Sequence, residues 1–167
     1  MFWKKTGFCA LIVFVTVSLA GCNTAGGEPG RYYDRGEGFS IKFPKGWKKI
    51  APLSGATITV QDPAKTIALS IAVQKVPAKS EAEQLIKMVT ARAQASGIAY
   101  KERGQMSLNG RDAYWMVGDA GVQGFVYLAY FVLKDGRWYS LQFVTDSVTF
   151  TRSQYQFADI ADTFQLK

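Results

Sequence analysis

The stretch Gly124-Phe125-Val126-Tyr127-Leu128-Ala129-Tyr130-Phe131-Val132-Leu133-Lys134-Asp135-Gly136-Arg137-Trp138-Tyr139-Ser140-Leu141-Gln142-Phe143-Val144-Thr145 sets the fold class. Side chains alternate between the two faces of a strand, so the unbroken apolar run from Phe125 to Leu133 is apolar on both faces. It therefore reads as a central strand covered above and below. Asp135-Gly136 supplies the pair of residues that tight hairpins favour, so Arg137 to Thr145 returns antiparallel to it. A sheet covered on both sides needs two separate covers, and the flanking sequence has to provide them.

One cover lies downstream, where Phe157, Ile160, Ala161 and Phe164 recur at helical spacing while Arg152, Asp159 and Asp162 fall elsewhere. Upstream, Ile98 to Ser107 and Arg111 to Val117 read as strands joined by Asn109-Gly110, and Gly118 to Gly121 as a loose turn before Gly124. A second helix begins near Ser80, with Glu83 in the capping-box relation. It places Ala82, Leu85, Ile86, Val89 and Ala93 on one face and ends at Gly97. Before it come three strands. The first alternates Phe39, Ile41 and Phe43 with Ser40 and Lys42, and the others run over Ala56 to Gln61 and Thr66 to Val73. The expected order is βββ-α-ββββ-α, an α+β domain with an antiparallel sheet of about six to seven strands between helices.

The chain has 167 residues, 48% apolar and 20% charged, which suits one ordinary globular core. Its first 21 residues read as an export segment. Met1 to Lys5 are basic, Phe8 to Ala20 form an apolar run too short to span a bilayer, and small residues follow. Leu19-Ala20-Gly21-Cys22 resembles the lipobox of bacterial lipoproteins, in which the cysteine is acylated, by palmitate-type chains, and becomes the first residue. More than one acyl chain gives stable anchoring. Residues 22–36 then read as the lipidated cysteine and a Gly-rich tether, and residues 37–167 as a single domain. Asn23 after the cysteine fits onward transfer to an outer membrane in enteric-type bacteria. The expected location is the cell envelope, with the domain facing the periplasm or the outer side of the cytoplasmic membrane.

Gly38-Phe39-Ser40-Ile41-Lys42-Phe43-Pro44-Lys45-Gly46-Trp47 resembles the opening strand and turn of PsbP-like domains. Phe157-Ala158-Asp159-Ile160-Ala161-Asp162-Thr163-Phe164 is similar to the last helix of the same superfamily, which includes the DcrB-like lipoproteins. The element order matches over about residues 36–167. The resemblance implies an α-β-α sandwich that serves as a binding or assembly-support module rather than an enzyme. The family's name-giver is an extrinsic subunit of photosystem II linked to calcium and chloride retention. This chain has no histidine for the metal contacts discussed for plant members, so no metal site is carried over.

The composition excludes much chemistry. Without histidine, and with Cys9 and Cys22 as the only cysteines, Ser/His/Asp and Cys/His sites cannot be built in the mature chain, nor can a His/Cys zinc site. Neither Ser-x-x-Lys nor Gly-x-Ser-x-Gly occurs, and Gly118-x-x-Gly121-x-x-Gly124 is not a dinucleotide fingerprint. No catalytic residue and no cofactor is assigned. Carboxylates remain. Asp159 and Asp162 sit three apart, as a solvated helix face or an acid pair would, and Asp112 and Asp119 flank a strand.

Setting aside Lys4 and Lys5 leaves 18 basic against 13 acidic residues, about +5. That is compatible with an anionic membrane or an acidic partner, and equally with an ordinary soluble surface. Lys42, Lys45, Lys48 and Lys49 cluster around Trp47, either as a membrane- or partner-facing patch or as a lysine-rich turn that keeps an edge strand soluble. Nucleic acid would need a larger basic stripe. The aromatic residues Tyr114, Trp115, Tyr127, Tyr130, Trp138 and Tyr139 either line a pocket or pack the core. The leading expectation is a lipid-anchored, non-enzymatic module that binds an envelope protein. The alternatives are a carrier of a small apolar or ionic ligand between sheet and helix, and a carboxylate-dependent enzyme.

Overall fold

A computed structural model describes residues 28–167 except 54, 78, 79, 96 and 121–123, and the side chain of Arg92. The export segment, Cys22 and Gly121 lie outside the described residues. Ten strands and two helices follow in order: β1 (Arg31–Asp34), β2 (Phe39–Lys42), β3 (Lys48–Ile50), β4 (Ile58–Gln61), β5 (Ile67–Lys75), α1 (Ala82–Ala95), β6 (Ala99–Leu108), β7 (Arg111–Asp119), β8 (Phe125–Lys134), β9 (Arg137–Asp146), α2 (Ser147–Asp162) and β10 (Gln165–Leu166).

The main sheet has seven strands in the order β3-β4-β5-β9-β8-β7-β6, every neighbouring pair antiparallel. The β8–β9 hairpin runs in register from Phe125↔Asp146 to Lys134↔Arg137. At its turn Asp135 and Gly136 both take positive φ, 49° and 69°, the conformation that made this dipeptide a turn signal. Val126 to Val132 are buried at every position, as the doubly apolar run requires.

Strand alternation divides the interior into two cores. On one face Leu69, Ile71, Leu141 and Phe143 meet Phe157, Ile160 and Ala161 of α2 and Phe39 and Ile41 of β2. On the other, Met116, Tyr127, Phe131 and Trp138 meet Leu85 and Ile86 of α1. The rings of Phe143 and Phe157 stack at 4.7 Å, and those of Phe131 and Trp138 at 5.3 Å. The expected α+β architecture is therefore present, with a helix against each face.

Some details differ from the sequence reading. Strand β2 does not join the main sheet. It lies between β1 and β10 in a separate three-stranded sheet that packs beside α2. Alternation reports one buried face of a strand but not which strand is its neighbour, and β10 is too short to show a pattern. The fold also begins before residue 37, because Arg31–Asp34 is already a strand. Finally, Phe164 lies beyond the C-cap Thr163 of α2 and is buried because the chain turns into β10. The Thr163 hydroxyl accepts from the Lys42 amide at 2.9 Å, and Arg31 Nη1 donates to the Thr163 carbonyl at 2.7 Å, which ties the small sheet to the helix end.

Helix starts follow local hydrogen bonding. The Glu81 carbonyl accepts from the Leu85 amide, which puts Glu81 rather than Ser80 at the N-cap position of α1. Asp146 caps α2, accepting from the amides of Val148 and Thr149 and from the Thr149 hydroxyl at 2.6 Å. The Thr149 hydroxyl, followed by the Thr149 amide, holds this carboxyl below its usual range. A depressed carboxylate stabilises the fold above the ordinary carboxylate range and loses that contribution as pH falls through the folded-state value. Asp146→Ala is expected to lower Tm at neutral pH by about 2–4 °C, with the gap to the parent protein closing in acid. Thermal melts at pH 7 and pH 3 check this, and a gap unchanged at pH 3 would refute the charged cap.

Candidate functional site

Helix α2 crosses over β8 and β9 and leaves the β6–β7 end of that face uncovered. Alternation fixes which side chains stand there. Glu102, Gly104 and Met106 of β6 pair with Val117, Trp115 and Ala113 of β7, and Val126, Leu128 and Tyr130 of β8 continue the row. With Ser147, Phe150, Thr151, Gln154 and Tyr155 of α2 as the opposite wall, Glu102, Met106, Trp115, Val117, Val126, Leu128 and Tyr130 line a cleft of about 640 Å³. Its floor is apolar and aromatic, and its charged lining consists of Lys101, Glu102 and Asp119. A volume of this size lies in the range of small-molecule sites, roughly 300–1,000 Å³.

Two features shape the cleft. The Trp115 indole packs on Gly104 of the neighbouring strand, so close that a Cβ there would sit 2.7 Å from Nε1. Lys101 is the extra residue of a β-bulge between the pairs Tyr100↔Gly118 and Glu102↔Val117, and its Nζ reaches Asp119 Oδ1 at 2.8 Å. Tyr130 is pushed up to about 12, chiefly by burial and then by the charge of Asp162. A smaller hollow of about 240 Å³ lies on the opposite face, beneath α1, lined by Ile86, Arg103, Tyr114 and Met116 among others.

The aromatic residues separate accordingly. Tyr130 lines the large cleft, Tyr114 the small hollow and Trp115 both, while Tyr127, Trp138 and Tyr139 are buried in the cores. The Tyr139 hydroxyl donates to the Glu37 carbonyl at 2.9 Å, a structural tie between β9 and the small sheet. Asp159 and Asp162 are exposed on α2, and Asp112 and Asp119 lie within β7 rather than flanking it. Among the described residues no group of three His, Cys, Asp or Glu side chains converges to hold a metal ion.

The four lysines are all exposed, around the turn between the two sheets. Lys42 Nζ reaches Glu28 Oε1 at 2.8 Å, and Arg31 Nε takes the other carboxylate oxygen at 2.9 Å. These two cations hold the Glu28 carboxyl below its usual range. Lys49 Nζ lies 4.3 Å from the centre of the Tyr32 ring. Lys45 occupies the turn with Gly46, and Lys48 and Lys49 lie on β3, an edge of the main sheet, where alternation turns them to opposite sides. Trp47 is half-buried against the core.

The sequence matches the PsbP family model over residues 29–166. The chain belongs to the PsbP family. Its fold is similar to that of the cyanobacterial PsbP protein CyanoP of Synechocystis sp. PCC 6803, with a TM-score of 0.66 at 16% identity over 89% of this chain and 99% of CyanoP. It is also similar to LpqN of Mycobacterium tuberculosis, with a TM-score of 0.53 at 14% identity over 85% and 87% of the two chains. The Saccharomyces cerevisiae Ran-binding protein Mog1p gives a TM-score of 0.57 at 7% identity over 81% and 94%. No curated protein matches the sequence. At these identities the structural likenesses establish the PsbP fold rather than a shared site.

Proposed function

We propose that this PsbP-family protein is a lipid-anchored, non-enzymatic module of the cell envelope that docks an envelope protein while held to its membrane through Cys22. The observation that carries this reading is where the chain enters the fold. Glu28, three residues ahead of β1, bridges Arg31 and Lys42, and Lys49 lies against Tyr32 of β1, at the end where the turn with Lys45 follows β2. Residues 22–28 reach at most about 25 Å, so a lipid on Cys22 would keep this basic end close to the headgroups. There each lysine near an anionic surface adds about 1 kcal/mol of attraction. The layout of the first 22 residues supports export and anchoring, and LpqN, a protein of the same fold, is described as involved in cell envelope biogenesis. Mog1p, the Ran-binding protein, is a protein-binding example of the fold.

The test is affinity purification from native membranes followed by mass spectrometry. A stoichiometric envelope protein is expected with the lipidated form and not with Cys22→Ala, and Lys45→Glu with Lys49→Glu is expected to lower its recovery. Recovery of the lipidated protein alone would sink the docking role. A second reading, carriage of a small ligand, is favoured by the cleft between α2 and β6–β8, whose volume and apolar, aromatic floor suit a small molecule.

A further inference from the structure

The cleft against α2 runs counter to the charge of the rest of the molecule. Beyond position 21 basic residues outnumber acidic ones 18 to 13, yet the charged side chains lining the cleft are two carboxylates and one lysine. That lysine, Lys101, is already held by Asp119 at 2.8 Å, which leaves Glu102 as the countercharge on offer. Glu102 lies two residues along β6 from Gly104, against which the Trp115 ring packs. The carboxylate and the indole are therefore diagonal neighbours on one side of the sheet.

Both groups favour a cation. An aromatic face carries the negative end of the ring quadrupole, and tryptophan attracts cations best. Tyr130 on the floor and Phe150 and the 80% exposed Tyr155 on the wall add further rings. A hard metal ion does not suit this lining, since calcium takes six to eight oxygen ligands and magnesium an octahedron of them. An anion would meet Glu102 and find no unpaired basic partner among the described lining residues.

We propose that the cleft binds a small organic cation with an apolar body, of the alkylammonium or quaternary ammonium class. Its charge sits beside Glu102 and the Trp115 ring, and its body sits on Val117, Leu128 and Met106. This assignment rests on the carrier reading of the cleft and does not depend on the anchoring or docking role.

The experiment is a titration of the full-length protein with benzyltrimethylammonium and, separately, with phenylmethanesulfonate, which has the same apolar ring and the opposite charge. The indole N–H resonance of Trp115, assigned through Trp115→Phe, is followed by NMR. A saturable shift is expected with the cation, at least several-fold tighter than with the sulfonate. Glu102→Gln, a change on the exposed rim, is expected to weaken the cation about three- to fivefold and to leave the sulfonate no weaker, since it removes a charge that repels it. Equal binding of the two ions, or no effect of Glu102→Gln, would overturn the cationic class while leaving ligand carriage standing. No saturable shift with either ion would overturn both.

Discussion

Replacing Phe157 with alanine is expected to lower the free energy of unfolding by about 3–5 kcal/mol, the range for truncating a fully buried aromatic side chain. The ring is 0% exposed. It stacks on Phe143 of the middle strand β9 at 4.7 Å and meets Phe150, two turns earlier on α2, at 6.1 Å. Removing it strips the main contact between helix and sheet and leaves a cavity that neighbouring Leu141 and Ile41, already buried, cannot fill without moving backbone. The loss also propagates, because α2 ends at Thr163, which holds β2 and Arg31 through its hydroxyl and carbonyl. Denaturant unfolding should show a lower midpoint with an unchanged slope, since the surface exposed on unfolding is nearly the same. A loss below about 1 kcal/mol would mean that the helix does not depend on this contact.

Phe157 was legible in the sequence because it belongs to a helical apolar row, and what proved legible elsewhere was likewise local. The β8 run, apolar on both faces, demanded a central position, and Asp135-Gly136 and Asn109-Gly110 are turns with positive φ at both residues of each pair. What is not legible in the sequence depends on tertiary partners. Lys48-Lys49-Ile50 forms an edge strand exposed at every position, so it has no alternation to detect. The partners of β2 come from opposite ends of the described chain, a four-residue strand and a two-residue strand, and neither carries a pattern of its own.

The cleft shows the same division. Aromatic content announced either a pocket or a packed core. The choice between Trp115 at a cleft and Trp138 in a core follows from where α1 and α2 cross the sheet, and no single segment encodes that. The lysine cluster was visible as a run of charge, but the role of Glu28 in binding Lys42 and Arg31 required the first strand to be placed.

Gly118→Ala is expected to cost about 1–3 kcal/mol, in the range of overpacking a filled site, and to disturb the cleft as well. The sequence suggested that Gly118 opens a loose turn. In the structure β7 continues through it to Asp119, and the turn is closed further on by the bond from the Ala120 amide to the Phe125 carbonyl. Gly118 is needed for space. An added Cβ would lie 2.5 Å from the Ala99 carbonyl oxygen and 2.9 Å from the Tyr100 Cα, backbone atoms that cannot rotate away. To admit a methyl group, β6 must draw back at the bulge, which carries Lys101 and its contact with Asp119 away from the rim. Gly104→Ala is the informative comparison, because there the obstacle is the Trp115 side chain, which can swing aside. Gly104→Ala should therefore lose less stability yet shift the Trp115 indole resonance more, whereas Gly118→Ala should show the reverse. Equal stability losses for the two substitutions would contradict the view that backbone approach at the bulge fixes Gly118.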